Sequence, residues 1–420
     1  MVRTRSLLLL LAAASVAAVL GTAVGGCGES NAGPGRILLV GIDSADWSVI
    51  DPLLSEGRMP NLASLMESGV SCELHSLVPK QKSPTIWTTI ATGKAPDKHG
   101  IHDYVDPLSK RLITSNVRTA RTFWDILGDT GRTVSVTGWL VSWPAEEVNG
   151  FMVSDYFHHP PKPDRPLPEN LTFPREFVEE VTPLRVVPGG ISDEEVDRFV
   201  DLDAVPPSEE IQSLPIEEMF LEMRGIQSLE KRVSDLKIIL ASDRTYLGAA
   251  RHLITEHPTD VTVVYLKGVD SASHKFWADA HPGEVGFPVS KTETLVFGRA
   301  VERYYEYADE MLGELVELFG EGTVIVCSDH GFEGPKPGRL PGGINDHGPV
   351  GILVMAGDAF KAGARIPERS VRDITPTILA MCGVPVGEDM DGAVIEDAFL
   401  PGYLRSHPVE RIATHEVAGR

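Results

Sequence analysis

Apolar runs that stop at an aspartate punctuate this chain. Residues 36–43 (RILLVGID) are apolar almost without interruption and end at Asp43, and residues 323–329 (TVIVCSD) end at Asp329. Residues 261–266 (VTVVYL) lead within four positions to Asp270. A run that is apolar on both faces predicts a central parallel strand, because a strand with one solvated face alternates instead. Further strands are expected at 133–138 and 351–355. Between them, apolar residues at three- and four-residue spacing predict helices near 47–54, 60–68, 86–92, 122–127, 234–256, 294–318 and 371–381. Gly69 and Gly383 stand where glycine commonly ends a helix. Strands alternating with helices over this length imply an α/β, doubly wound fold with a mostly parallel sheet flanked by helices. No internal repeat interrupts it.

The texture changes between 142 and 232. The stretch His158-His159-Pro160-Pro161-Lys162-Pro163 is proline-rich, and acidic clusters surround 193–203 and 209–222. This part reads as an insertion or cap on a catalytic domain made of two pieces, 36–141 and 233–400, with 401–420 as a C-terminal tail. At the other end, Arg3 and Arg5 precede an apolar run over 7–23, the pattern of a secretory signal. The run closes in Val24-Gly25-Gly26-Cys27, which resembles the lipobox of bacterial lipoproteins. Residues 1–27 are therefore expected to be a lipoprotein-type signal peptide with Cys27 as membrane anchor, simple secretion being the alternative, and 28–35 to be a tether. That places the protein in a bacterial envelope, on the periplasmic or extracellular face.

Composition narrows the class. Hydrophobic residues make up 42% and charged residues 23% of 420 positions, so the chain can bury a large core. The formal net charge of -22 argues against nucleic-acid binding, which needs a basic footprint. An acidic protein that handles anions must carry local positive charge, and bound cations supply it. Beyond Cys27 the cysteines are Cys72, Cys327 and Cys382. Cys327 lies inside a strand pattern as a buried free thiol; a Cys72–Cys382 disulfide is left open for an oxidising compartment.

The strand-end aspartates are the candidate chemistry. In open α/β sheets the C-terminal strand ends line the ligand crevice. Three carboxylates there repel one another unless cations neutralise them. His274 lies one helical turn after Asp270, His330 follows Asp329, and His347 sits in the loop Asn345-Asp346-His347-Gly348. Asp43, Asp270, His274, Asp329, His330 and His347 form a mixed carboxylate and imidazole set, which suits two divalent ions, zinc or manganese, better than calcium. Each residue alone has a plainer reading: a strand-end aspartate often caps a helix, and His99, His102, His158, His159 and His281 read as uninvolved. A second element is Ser83-Pro84-Thr85-Ile86-Trp87-Thr88. Serine before proline marks a starting helix, where a hydroxyl serves as a cap or faces N–H groups that favour anions. Ser83 and Thr85 are both candidate nucleophiles.

The segments GIDSADW, SPTIWTTIATGKAPDKHGI, LKGVDSASHKFW, VCSDHGF, NDHGPVGILVMAG and VRDITPTILAMCGVPVGEDMDGAVIED together resemble the alkaline phosphatase superfamily. Within it they are most similar to the type I phosphodiesterase/nucleotide pyrophosphatase group and its bacterial phosphohydrolase and phosphomutase relatives. The resemblance covers both pieces of the expected catalytic domain and leaves the insertion unmatched. It implies one metal site from Asp270, His274 and His347, and another from Asp43, Asp329, His330 and the nucleophile oxygen. Counting back from Thr92-Gly93, it puts Ser83 at the nucleophile. It further implies a phosphate-ester substrate, a phosphoseryl intermediate released by water, two ions about 4 Å apart, and N–H groups at the helix start holding phosphoryl oxygens. Nucleotide pyrophosphatases carry an asparagine three residues after the nucleophile, where this chain has Ile86.

Alternative readings stay within reach of the same motifs. A phosphomutase or phosphotransferase shares the intermediate. Sulfatases need a C/S-x-P-x-R motif that is absent around Ser83. Ser44 of Asp43-Ser44-Ala45 follows the first strand and reads as structural. A lipid-tethered binding protein on an inactive fold would have lost ligands, whereas all six are present.

Overall fold

The computed structural model describes residues 35–159, 168–338 and 343–417. The signal segment, Cys27, most of the tether and Pro160-Pro161-Lys162-Pro163 lie outside the described residues. Among the described residues no helix is long and apolar enough to cross a membrane.

The strands in chain order are β1 Ile37–Ile42, β2 Gly69–His75, β3 Val134–Thr137, β4 Gly150–Val153, β5 Thr172–Phe173, β6 Val261–Leu266, β7 Thr323–Cys327, β8 Gly331–Phe332, β9 His347–Gly348, β10 Val350–Ala356, β11 Ala364–Arg365 and β12 Arg369–Ser370. The main sheet runs β11-β2-β10-β7-β1-β6-β3-β4-β5, with β12 also on β2. The β7-β1-β6-β3-β4 centre is parallel. β10 lies antiparallel between β7 and β2, and β5 antiparallel on β4. This is the mixed, mostly parallel α/β sheet of an alkaline phosphatase-like fold.

β1 explains why the centre is legible. All six of its residues are buried. Leu38, Val40 and Ile42 pack with the layer holding the Trp47–Ser55, Pro60–Ser68, Gly268–Ala280 and Ala300–Phe319 helices. Ile37 and Leu39 pack with the opposite layer, which holds the Ser83–Thr92, Phe123–Asp129 and Ile374–Met381 helices. Two-residue alternation with both faces covered leaves no polar position in the strand.

Three local expectations change. Gly69 does not end its helix in the left-handed conformation; its φ is -141°, and it begins β2. A Cβ there would strike the Met355 carbonyl oxygen on β10, so close strand approach is what requires glycine. The single helix expected at 294–318 is two, Lys291–Phe297 and Ala300–Phe319. The first is opened by a Ser290/Glu293 capping box, and its Val296 carbonyl accepts from Asp201 N–H. The helix expected from 234 begins at Ile216 and runs to Glu256. Its early turns have little apolar periodicity and hold by polar contacts instead: Glu222 accepts from the backbone N–H groups of Lys291 and Thr292, and Arg232 pairs with Asp279 and Glu293.

Cys72, Cys327 and Cys382 are all buried and free, so no Cys72–Cys382 bridge forms. Farther on, Val386–Gly387 pairs in parallel with Arg411–Ile412. Lys94, just past the Ser83–Thr92 helix, has a buried ammonium that meets Asp389 at 2.6 Å and Glu416 at 2.7 Å.

Candidate metal centre

Parallel strands deliver their C-terminal ends to one edge, and the acidic residues arrive there in the loops that follow. Asp43 follows β1, Asp329 and His330 follow β7, and Asp270 lies in the first turn of the Gly268–Ala280 helix after β6. His274 stands one turn further along that helix, and His347 opens β9.

Two groups of ligand atoms form, each with all its atoms within 4.8 Å of one another: Asp43, Asp329 and His330, and Asp270, His330 and His347. His330 Nε2 lies 3.5 Å from Asp43 Oδ1 and 3.3 Å from Asp329 Oδ2. His274 Nε2 is 3.3 Å from Asp270 Oδ1 and 3.1 Å from His347 Nε2. All six residues singled out in the sequence therefore meet at one place. His330 lies between the two groups and stacks on His347 at 3.7 Å between ring centroids.

The site has the features of one built for cations. Asp43 Oδ1, Asp270 Oδ1 and Asp329 Oδ2 are buried and accept no hydrogen bond. Burial, then the Asp270 charge, pushes the Asp43 carboxyl up to about 7. Burial, then the charges of Asp43 and Asp270, raises Asp329 well above the usual carboxylate range. Asp270 moves the other way: burial alone would raise it, but the contact with His274 and the imidazole charges hold it low. Burial and the neighbouring His330 depress the His347 imidazole to about 3. Orphaned carboxylate oxygens facing imidazole nitrogens are what divalent cations satisfy.

Neighbouring groups fix the ligands. His330 Nδ1 donates to the Gly331 carbonyl at 2.9 Å, which leaves Nε2 as the acceptor facing the carboxylates. Asp346 Oδ2 lies 3.3 Å from His274 Nδ1, the carboxylate–imidazole support that metal ligands commonly have. Asp43 Oδ2 accepts from Tyr265 Oη at 2.5 Å and Trp87 Nε1 at 3.2 Å. Gly41 makes room for that indole: a Cβ there would sit 2.6 Å from the Trp87 ring. Ser44, at φ 65°, donates its N–H to Asp329 Oδ1 and its hydroxyl to the Gly331 carbonyl, so it braces the site without entering it.

Ser83 is the first residue of its helix, with Lys82 as N-cap and Pro84 next. Its Oγ lies 3.3 Å from His330 Nε2. Thr85 is fully buried, and its hydroxyl has no partner. Ile86 is in the core. The helix start offers fewer donors than expected: the Thr85 and Ile86 N–H groups both bond the Lys82 carbonyl, and Pro84 has none.

Beside the metal centre opens a cavity of about 340 Å³ whose lining includes Asp43, Pro84, Asp270, Tyr104, His158 and Lys267. The last three were missed from sequence. Tyr104 is raised above the ordinary phenol range by burial and by the charges of Asp43 and Asp270, with a Ser83 hydrogen bond acting the other way. His158 was read as uninvolved, yet its Nε2 lies 2.9 Å from Lys267 Nζ. No sequence signal marks Tyr104; Lys267 at least stands three residues before Asp270, at the end of β6.

The family model described as type I phosphodiesterase/nucleotide pyrophosphatase matches residues 37–339. That span contains every candidate ligand except His347. The 2,3-bisphosphoglycerate-independent phosphoglycerate mutase of Cereibacter sphaeroides is 32% identical over 106 residues, 24% of this chain and 20% of the mutase. The similarity thus spans a fifth of that relative's length. Among solved structures, a mutant of the alkaline phosphatase PafA is similar at 12% identity with TM-score 0.51, over 87% of this chain and 99% of that one. A 2-O GAG sulfatase is similar at 9% identity with TM-score 0.51, over 91% and 76%. At such identities the likeness is one of fold.

Proposed function

The chain belongs to the type I phosphodiesterase/nucleotide pyrophosphatase family, and from that premise we propose that it hydrolyses phosphate esters through a phosphoseryl intermediate on Ser83. The observation that carries the reading is the Ser83 hydroxyl beside His330, at the rim of a buried set of orphaned carboxylates. Asp43, Asp329, His330 and Ser83 would hold one divalent ion, zinc or manganese, and Asp270, His274 and His347 the other. Bound there, such ions neutralise the carboxylates, lower the serine pKa and draw charge from the attacking and leaving oxygens.

Ser83 gives up its hydroxyl proton and attacks phosphorus in line with the leaving oxygen. The bond from that oxygen to phosphorus breaks, and it departs as an alcohol once it takes up a proton. Water then attacks phosphorus from the vacated side, breaking the Ser83 Oγ–P bond and returning one proton to Ser83. This releases phosphate from a monoester or a phosphate monoester from a diester. The Ser83 N–H is the donor that the first turn has left for a phosphoryl oxygen. Tyr104 supplies a second donor in place of the asparagine that Ile86 replaces. Deciding between monoesters and diesters requires rates on p-nitrophenyl phosphate and bis-p-nitrophenyl phosphate in zinc and in manganese. A metallated protein inert on both would remove the hydrolase reading and favour an inactive binding protein.

A transfer reading has one observation behind it, the similarity to a mutase over a quarter of the chain. Phosphoryl transfer to glycerol, measured against phosphate release, separates it from hydrolysis. Anchoring at Cys27 in a bacterial envelope rests on the N-terminal sequence pattern. A diacylglyceryl mass on a mature chain starting at Cys27 is its test.

A further inference from the structure

Lys267 is the first residue after β6, and its main chain is clamped: its N–H and that of Gly268 donate to Asp243 at 3.1 and 3.0 Å. Its ammonium reaches His158 Nε2 at 2.9 Å. The ring of His158 is oriented by its other nitrogen, which faces the Asp155 carbonyl at 3.0 Å. A carbonyl only accepts, so Nδ1 carries the proton and Nε2 is the acceptor for Lys267. Tyr246 secures the same carbonyl by donating its hydroxyl at 2.6 Å.

An ammonium has three N–H bonds, and His158 takes one. Four carboxylates bear on its charge, Asp243, Asp155, Asp43 and Asp270, and the last two belong to the candidate metal centre. Asp243 accepts from the two backbone groups and from Tyr304, and Asp155 from the Val141 N–H. Among the described residues Lys267 makes no ion pair. A half-buried cation held by a single neutral acceptor is expensive unless a ligand completes it. It lines the cavity that Asp43 and Asp270 also line.

In the reading above, which this inference rests on, the phosphoryl group occupies the metal centre and Ser83, so the cavity receives the leaving group. We infer that Lys267, oriented by His158, binds a second anionic group carried on the leaving group of the substrate: a carboxylate or a second phosphate.

The test uses matched non-hydrolysable ligands on the metallated protein: phenylphosphonate, its 3-carboxy and 4-carboxy derivatives, and the 1,3- and 1,4-phenylene bisphosphonates. Calorimetry should show at least a tenfold tighter Kd for one of the doubly anionic ligands than for phenylphosphonate. Lys267→Met should erase that preference, and Lys267→Arg should keep most of it. Which of the carboxylate or phosphonate series is favoured identifies the anion. Equal weakening of phenylphosphonate and the doubly anionic ligands by Lys267→Met would mean that Lys267 holds the phosphoryl group itself and overturns the inference, as would no preference in the wild type. Rates on the corresponding phosphate esters are a separate readout: binding preference without turnover sinks the hydrolase reading and leaves the anion site standing.

Discussion

The Ser83 hydroxyl and His330 Nε2, 247 positions apart in the chain, stand 3.3 Å from each other inside the protein. Thr85, two residues further along the same helix, has its hydroxyl buried with no partner. We therefore predict opposite outcomes for two similar substitutions. Ser83→Ala should lower kcat on an aryl phosphate by about 10³-fold or more while most of the metal stays bound. Thr85→Ala should cost less than about tenfold, since it removes an unsatisfied hydroxyl. Reversed losses in steady-state rates would transfer the nucleophile to Thr85.

The orphaned carboxylates predict a large effect of metal removal on stability. A ligand present at a hundredfold excess over its Kd stabilises the folded state by about 2.7 kcal/mol, so two such ions contribute roughly twice that. Thermal melts with and without chelator, alongside metal analysis, measure it. His347→Ala should bind fewer ions per chain and gain less on adding zinc. Superimposable melts for the chelated and metallated wild type would contradict the site.

Gly41 predicts a steric coupling between core and site. Its added Cβ would press on the Trp87 ring at 2.6 Å and on Trp139 at 3.3 Å, and Trp87 holds Asp43. Gly41→Ala should cost about 1–3 kcal/mol by overpacking and weaken metal binding as well. Urea unfolding together with a metal titration checks both, and an unchanged metal affinity would show that Trp87 does not steady Asp43.

Asp155 predicts a pH dependence. Burial raises its carboxyl to about 7 from an ordinary 3.8. Between those values the unfolded chain has released this proton and the folded one has kept it. Stability must therefore fall as pH rises through that window. Asp155→Asn, which keeps an acceptor for the Val141 N–H, should flatten the wild-type decline between about pH 4 and pH 7. Parallel urea-derived stability curves for the two proteins across that range would rule this out.

The sheet centre and the clustering of the six Asp and His residues were legible because both are written locally. β1 is uniformly apolar because both its faces are covered, and a strand-end aspartate marks the crevice edge of a parallel sheet. The parts that were not legible depend on long-range partners. Lys267 gains meaning only from His158, 109 residues away, and nothing in the His158-His159-Pro160 run signals that meeting. Asp346 likewise gains its place only from His274, 72 residues away. The early turns of the Ile216–Glu256 helix escaped because polar contacts to the segment around 279–293 hold them, and such contacts leave no hydrophobic period to read. Gly69 shows the converse failure: the residue was noticed, but its cause is a neighbouring strand instead of a helix end.

Lys94 closes the helix that begins with Ser83, and one of its two carboxylate partners, Glu416, lies 322 residues downstream. On the ribosome, the front of that helix and its metal-ligating neighbours are made long before this clamp exists. At roughly 5–20 residues per second of synthesis, the buried ammonium waits at least some 16 seconds for Glu416. For most of that wait its other partner, Asp389, 295 residues downstream, has not been made either. The nascent protein should therefore acquire this brace behind the Ser83 helix only after residue 416 has emerged.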